Sequence, residues 1–194
     1  MEKKELELYI HIPFCVRKCN YCDFLSFPAD EDTQRQYVKA LCKEIFYYGA
    51  HCRDYVVSTV YIGGGTPSWL WESDMAAILD AIQKSFSLLP EAEVSIECNP
   101  GTVTAQKFAV YRQSGINRIS LGLQSAQNVE LKMLGRIHTW EQFLKTYELA
   151  RSGGFSNINV DLMSSLPGQH IETYADSLQK VCRLKPEHIS AYSL

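Results

Sequence analysis

Three cysteines fall within eight residues, Cys15, Cys19 and Cys22, with spacings C-x3-C and C-x2-C. Thiols grouped this tightly, in a chain whose start carries no apolar export signal, point to metal or redox chemistry before disulfides. A structural zinc site asks for four ligands, often in paired C-x2-C units. The next cysteine is Cys42. His11 is the imidazole nearest in sequence, and strand alternation turns it elsewhere. An iron–sulfur cluster held by three thiolates suits the spacing better than zinc. It leaves one iron without a protein ligand, and an open metal position is where substrate chemistry takes place.

Other residues able to do chemistry recur at strand ends. Gly63-Gly64-Gly65-Thr66-Pro67 is read directly after one strand, Glu97 at the end of the next, Gln124 at the end of a fourth, and Asp161 within a fifth. The glycine run is either a tight turn or a place where a ligand meets bare backbone N–H and C=O groups. It lacks the G-K-[ST] ending of a phosphate loop. Glu97 alone reads equally well as a satisfied strand-end carboxylate. Five such features on one rim are harder to set aside, because parallel β/α folds place their sites at the C-terminal ends of strands.

The elements that must hold this rim are short apolar runs alternating with amphipathic stretches. Strands are expected over Leu8–Ile12, Ser58–Gly63, Glu93–Cys98, Arg118–Gln124, Asn157–Met163 and His188–Leu194. Their isoleucine and valine content suits strands covered on both faces. Helical spacing unites Tyr37, Leu41, Ile45 and Tyr48, with Gly49 as a stop, and Ile78, Leu79, Ile82 and Phe86, with Ser73 as N-cap. Phe108 and Tyr111 mark a shorter helix ending near Gly115. Thr139 and Gln142 fit a capping box, Tyr174, Leu178 and Val181 a last helix, and 128–134 a brief turn. Six β–α steps predict a parallel sheet, too few for a closed eight-stranded barrel, so a partial, open (β/α)6 barrel is expected. The whole of residues 1–194 reads as one core domain. The last strand has no covering helix, which reads as part of a longer protein.

Bulk properties set limits. The 194 residues are 46% hydrophobic and 21% charged, with net charge −3, ordinary for a globular protein and without the basic balance of nucleic-acid binders. No apolar run reaches the length of a membrane span, and a cytoplasmic location is expected, peripheral membrane association being compatible. Of the seven cysteines, Cys42, Cys52, Cys98 and Cys182 are scattered on predicted elements and read as packed or inert thiols.

The cysteine spacing after a first barrel strand resembles the signature of radical S-adenosylmethionine (SAM) proteins. "LYIHIPFCVRKCNYC", "GGGTP", "IECNP", "SLGLQS", "LGRIH" and "NVDLMSSLPGQ" resemble, in order and over essentially the whole chain, the oxygen-independent coproporphyrinogen III oxidase family. The resemblance implies a partial TIM-like barrel and a [4Fe–4S] cluster on Cys15, Cys19 and Cys22. SAM would chelate the fourth iron, and its contacts would map to Tyr9, Tyr21, Gly64, Gly65, Thr66, Glu97, Gln124, Arg136 and Asp161. Glu97 and Asp161 would accept from ribose hydroxyls or the ammonium, and Arg136 would meet a carboxylate. A second SAM in some members leaves the roles of Gln124 and Asp161 open. The implied chemistry is reductive cleavage of SAM to methionine and a 5′-deoxyadenosyl radical, fed by an electron donor such as flavodoxin or ferredoxin.

One departure redirects the reading. The family's oxidases continue with Gly-Cys after the third cysteine, whereas this chain has Asp23 and Phe24. "CNYCDF" resembles instead the haem chaperone subgroup (HemW-like), which implies haem binding and transfer to respiratory proteins. The haem-binding segment would lie beyond Leu194. The alternative is oxidative decarboxylation of coproporphyrinogen III to protoporphyrinogen IX.

Overall fold

The computed structural model describes residues 4–194. Strands β1 (Lys4–Ile12), β2 (Tyr55–Gly64), β3 (Leu88–Cys98), β4 (Arg118–Gln124), β5 (Ile158–Ser164) and β6 (His188–Ser193) alternate with helices α1 (Glu31–His51), α2 (Glu72–Ser85), α3 (Ala105–Gln113), α4 (Asn128–Met133), α5 (Trp140–Ser152) and α6 (Ile171–Arg183). The sheet runs in chain order with every neighbouring pair parallel, leaving β1 and β6 as its edges. This is the partial barrel expected, one strand advancing per β–α step.

The strands are not apolar on both faces. Val60 and Ile62, Val94 and Ile96, Ile119, Leu121 and Leu123, and Ile158, Val160 and Leu162 are buried in the hydrophobic core with the helices. The alternate residues Tyr61, Ser95, Glu97, Ser120, Asn159 and Asp161 bond to one another or to their polar neighbours. Curling hides this concave face from solvent, so polar residues can sit there provided each finds a partner. The three longer strands begin before their expected starts. Pro90 is accommodated where β3 has irregular pairing, the register to β2 shifting between Val57 and Thr59.

Two helix boundaries also differ. α1 runs past Gly49 to His51, because that glycine serves close approach and does not terminate the helix: a Cβ there would lie 2.5 Å from Ser85 Cβ and 2.7 Å from its carbonyl oxygen. α2 starts at Glu72, with the extended Trp71 in the cap position and Ser73 already inside the first turn. A 3-10 turn, Pro67–Trp69, and the buried Leu70 bring the chain into the helix early, and Phe86 lies beyond its end. The capping box of Thr139 and Gln142 forms as expected.

Candidate functional site

The loop after β1 is closed on itself. Cys15 N–H donates to Phe27 O at 3.1 Å, and Phe27 N–H to Pro13 O at 2.9 Å. Phe14 is buried and meets Phe27 and Tyr37 edge-on. Inside this lobe Cys22 N–H turns back to Cys19 O at 3.2 Å. The far side is pinned to the segment after α4: Asn20 N–H donates to Leu134 O and its side-chain amide to Met133 O, each at 2.9 Å, and Arg17 donates to Gly135 O. The "LGRIH" stretch singled out in the sequence is therefore the wall against which the cysteine loop rests.

The glycine run closes the other side. Gly65 N–H donates to Ile12 O and Thr66 N–H to Phe14 O, both at 2.7 Å, and a Cβ on Gly65 would lie 2.7 Å from Phe14 O. Gly64 has φ +116, where side chains are strained, and its N–H donates to Glu97 Oε2 at 3.1 Å. The run is thus both a turn and a bare backbone edge.

Between these walls lies an open cavity of about 310 Å³, lined by Cys15, Cys19, Cys22, Tyr21, Gly64, Gly65, Thr66, Glu97, Gln124, Arg136 and Asp161. Of the residues assigned by resemblance only Tyr9 is outside this lining. It is 59% exposed on the edge strand, donates or accepts at His11 Nδ1, and stacks on Tyr61, which does line the cavity. His11 also reaches Leu25 O with Nε2, so both ring nitrogens are engaged away from the thiols.

The cavity's carboxylates face low dielectric. Burial is the main cause that raises both Glu97 and Asp161 above their ordinary carboxylate values; the Asp161 charge raises Glu97 further, and hydrogen bonds from Tyr61 and Gly64 to Glu97 and from Asn159, Ser120 and Ser190 to Asp161 offset part of it. Glu97 accepts from Tyr61 Oη at 2.8 Å, and Asp161 from Asn159 Nδ2 at 2.8 Å and Ser120 Oγ at 3.3 Å. Tyr61 is raised in turn, by burial first and then by Glu97. Arg136 is no solvated surface arginine. Its Nη2 donates to Gly122 O at 2.6 Å and Asn99 Oδ1 at 2.7 Å, and Nη1 reaches Cys19 Sγ at 3.7 Å.

Two features fit a resident cofactor. Gln124 Oε1 and Arg136 Nε are buried with no protein partner, one an acceptor and one a donor on the cavity lining. Gln124 holds φ 70, a left-handed conformation that costs a non-glycine residue about 1–3 kcal/mol and recurs at binding sites.

Asn99, Tyr61, Ser120 and Tyr192 were missed in the sequence. Tyr61 had a signal, two residues ahead of Gly63 on the same strand face; Asn99 had one in following Glu97 on the same rim. Cys98 lines the cavity too, but burial pushes its thiol up to about 12, so it stays protonated. Of the four cysteines read as packed or inert, Cys98 is buried, Cys42 and Cys52 are half-buried and Cys182 is exposed.

A model of the radical SAM superfamily matches residues 9–181. The heme chaperone HemW of Escherichia coli K12 is 41% identical over 190 residues, covering 97% of this chain and 50% of that protein. HemW of Bacillus subtilis 168 is 36% identical over 189 residues, covering 96% and 49%. The structure of coproporphyrinogen III oxidase (HemN) from Escherichia coli superposes with TM-score 0.92 at 29% identity, covering 100% of this chain and 45% of that one. The chain thus spans about half the length of the curated relatives it matches.

Proposed function

This chain belongs to the radical SAM superfamily, and on that premise we propose that it is the cluster- and SAM-binding part of a haem chaperone of the HemW kind. The observation that carries the reading is the meeting of Cys15, Cys19 and Cys22 with Glu97, Gln124, Arg136 and Asp161 round one cavity. Superfamily membership implies a [4Fe–4S] cluster and SAM. The three thiolates would each hold an iron, and SAM would complete the fourth. The backbone of Gly64, Gly65 and Thr66 would meet its methionine end. Glu97 and Asp161 would accept from the ammonium and the ribose hydroxyls. Arg136, through its free Nε, and Gln124, through its free Oε1, would fix the remaining polar groups, with Tyr21 covering the site and Tyr9 supporting Tyr61. A bound cluster supplies one-electron reduction of the SAM sulfonium; the protein's part is to orient the two groups and exclude water.

Haem as cargo is supported by the chaperone relatives and by Asp23-Phe24 in place of Gly-Cys. Phe24 is 70% exposed and lines the cavity, where its ring would narrow the approach to bound SAM. Cytoplasmic residence, reduction by flavodoxin or ferredoxin and delivery to respiratory proteins belong to the same reading, in a whole protein longer than residues 1–194. Among the described residues no helix is long and apolar enough to cross a membrane.

The likeness to coproporphyrinogen III oxidase favours a second reading, a porphyrinogen-decarboxylating enzyme. One experiment on the full-length protein separates them. Anaerobically reconstituted protein is given haem, or coproporphyrinogen III with SAM and reductant. We expect stoichiometric haem binding and no protoporphyrinogen. Conversion of coproporphyrinogen III would overturn the chaperone reading, and an Asp23→Gly/Phe24→Cys variant that gained conversion would assign the block to these two positions.

A further inference from the structure

Asn99 lies outside every residue assigned above, yet its side chain joins two of the groups that touch thiols. Its Nδ2 donates to Thr66 Oγ1 at 2.9 Å, and its Oδ1 accepts from Arg136 Nη2 at 2.7 Å. Thr66 Oγ1 in turn donates to Cys15 Sγ at 3.4 Å, and Arg136 Nη1 to Cys19 Sγ at 3.7 Å. The amide can point only one way. A guanidinium has donors alone, so oxygen must face Arg136 and nitrogen must face Thr66. A threonine hydroxyl has one proton. Since its oxygen accepts from Asn99, that proton is directed at Cys15 Sγ.

Asn99 is itself held hard. Its N–H donates to Ser68 Oγ at 3.1 Å, and its carbonyl accepts from Thr102 N–H at 3.1 Å and Thr102 Oγ1 at 2.8 Å. Lys107, buried beneath, donates to Ser68 O at 2.8 Å and Thr102 O at 3.0 Å. This fixes both the loop after β2 and the loop after β3. Outer groups fixed this firmly are what orients the groups nearest a metal centre.

We propose that Asn99 is a positioning residue that aims one hydrogen bond at the sulfur of Cys15 and one at the sulfur of Cys19, and so raises the reduction potential of the cluster those thiolates hold. The inference rests on the reading of Cys15, Cys19 and Cys22 as cluster ligands. A reduced cluster carries one more negative charge than an oxidised one. Donors to its sulfurs therefore stabilise the reduced form more.

The test is a potentiometric titration of the reconstituted cluster without SAM, followed by EPR, with iron and sulfide measured alongside. The wild-type chain is compared with Asn99→Asp, Asn99→Leu, Thr66→Val and the double variant Thr66→Val/Asn99→Asp. In Asn99→Asp the carboxylate takes the Thr66 proton away from Cys15. The ratio of reduced to oxidised cluster at a fixed potential should fall at least tenfold, which is about 59 mV for one electron. Asn99→Leu and Thr66→Val should move it the same way by less, and the double variant by less than the sum, since both changes act through one proton. Unchanged potentials with full iron, or strict additivity, refute this inference alone. Loss of iron from folded Asn99→Leu and Thr66→Val also counts against it, because the role assigned is tuning and not attachment. A wild-type chain that takes up no iron refutes the cluster reading and this inference with it.

Discussion

Replacing Glu97 by Gln separates the charge of the cavity from its shape. In the wild type the carboxylate accepts from Tyr61 Oη at 2.8 Å and Gly64 N–H at 3.1 Å. The amide keeps both partners: Gly64 donates to its oxygen, and its nitrogen donates to Tyr61 once that hydroxyl turns over. Folding stability should therefore change little. SAM binding should change more, because a hydrogen bond involving a charge contributes about 1.5–3 kcal/mol and a neutral one about 0.5–1.5 kcal/mol. The midpoints differ by about 1.25 kcal/mol, which is about eightfold in Kd. Glu97→Ala goes further, orphaning two donors at about 1–3 kcal/mol each. The wild type has a pH signature as well. Burial raises the folded pKa of Glu97 and Asp161, so the empty fold holds these protons more tightly than the unfolded chain. Their contribution to stability is greatest at low pH and is lost as pH rises through the raised values. A cation in the cavity needs both groups ionised, so SAM affinity should climb over the same window with proton release. Calorimetric titration of the reconstituted protein in buffers of different ionisation enthalpy reads both quantities. Equal SAM affinity and equal proton release in wild type and Glu97→Gln would refute the argument.

Gly65→Ala should destabilise the fold by about 1–3 kcal/mol, the usual cost of overpacking, because its Cβ would sit 2.7 Å from Phe14 O and 3.0 Å from Ile12 O. Denaturant midpoints give the loss, and iron retention should fall with them as the glycine edge parts from the cysteine loop. His138 is buried, and burial together with the Arg136 charge lowers its pKa to about 3. Its folded value lies below the unfolded one, so the unfolded chain takes up the proton first and stability falls with decreasing pH, by up to about 1.4 kcal/mol per unit below about 6.5. His138→Leu should flatten the urea-derived stability between pH 6 and pH 4 relative to wild type; parallel curves would contradict it. Removing Cys15, Cys19 or Cys22 should abolish iron uptake on reconstitution, whereas Cys42→Ala, at a thiol bonded to Ala77 O away from the cavity, should leave it intact.

Much of this molecule is local in origin and so legible in order along the chain. The cysteine spacing, the glycine run, the Thr139–Gln142 capping box and the apolar runs of the six strands depend on neighbours a few residues away, and the order of the elements follows from periodicity and turn chemistry, although β1, β2 and β3 begin earlier than those signals place them. The alternation of β and α steps then leaves little choice of sheet order, and strand ends carry Glu97, Gln124 and Asp161 to one rim. Other facts depend on contacts between distant segments. Gly49 reads as a helix stop until Ser85 is seen against it. Arg136, expected to meet a cofactor carboxylate, reaches the thiol of Cys19 only because the wall formed by its segment meets the cysteine loop. The polar concave face is buried only because the sheet curls, and Asn99 bridges Thr66 and Arg136 only because three loops end side by side. Curvature and long-range hydrogen bonds of this kind arise from the packing of all six strands together, and they decide which residues of the rim touch the thiols.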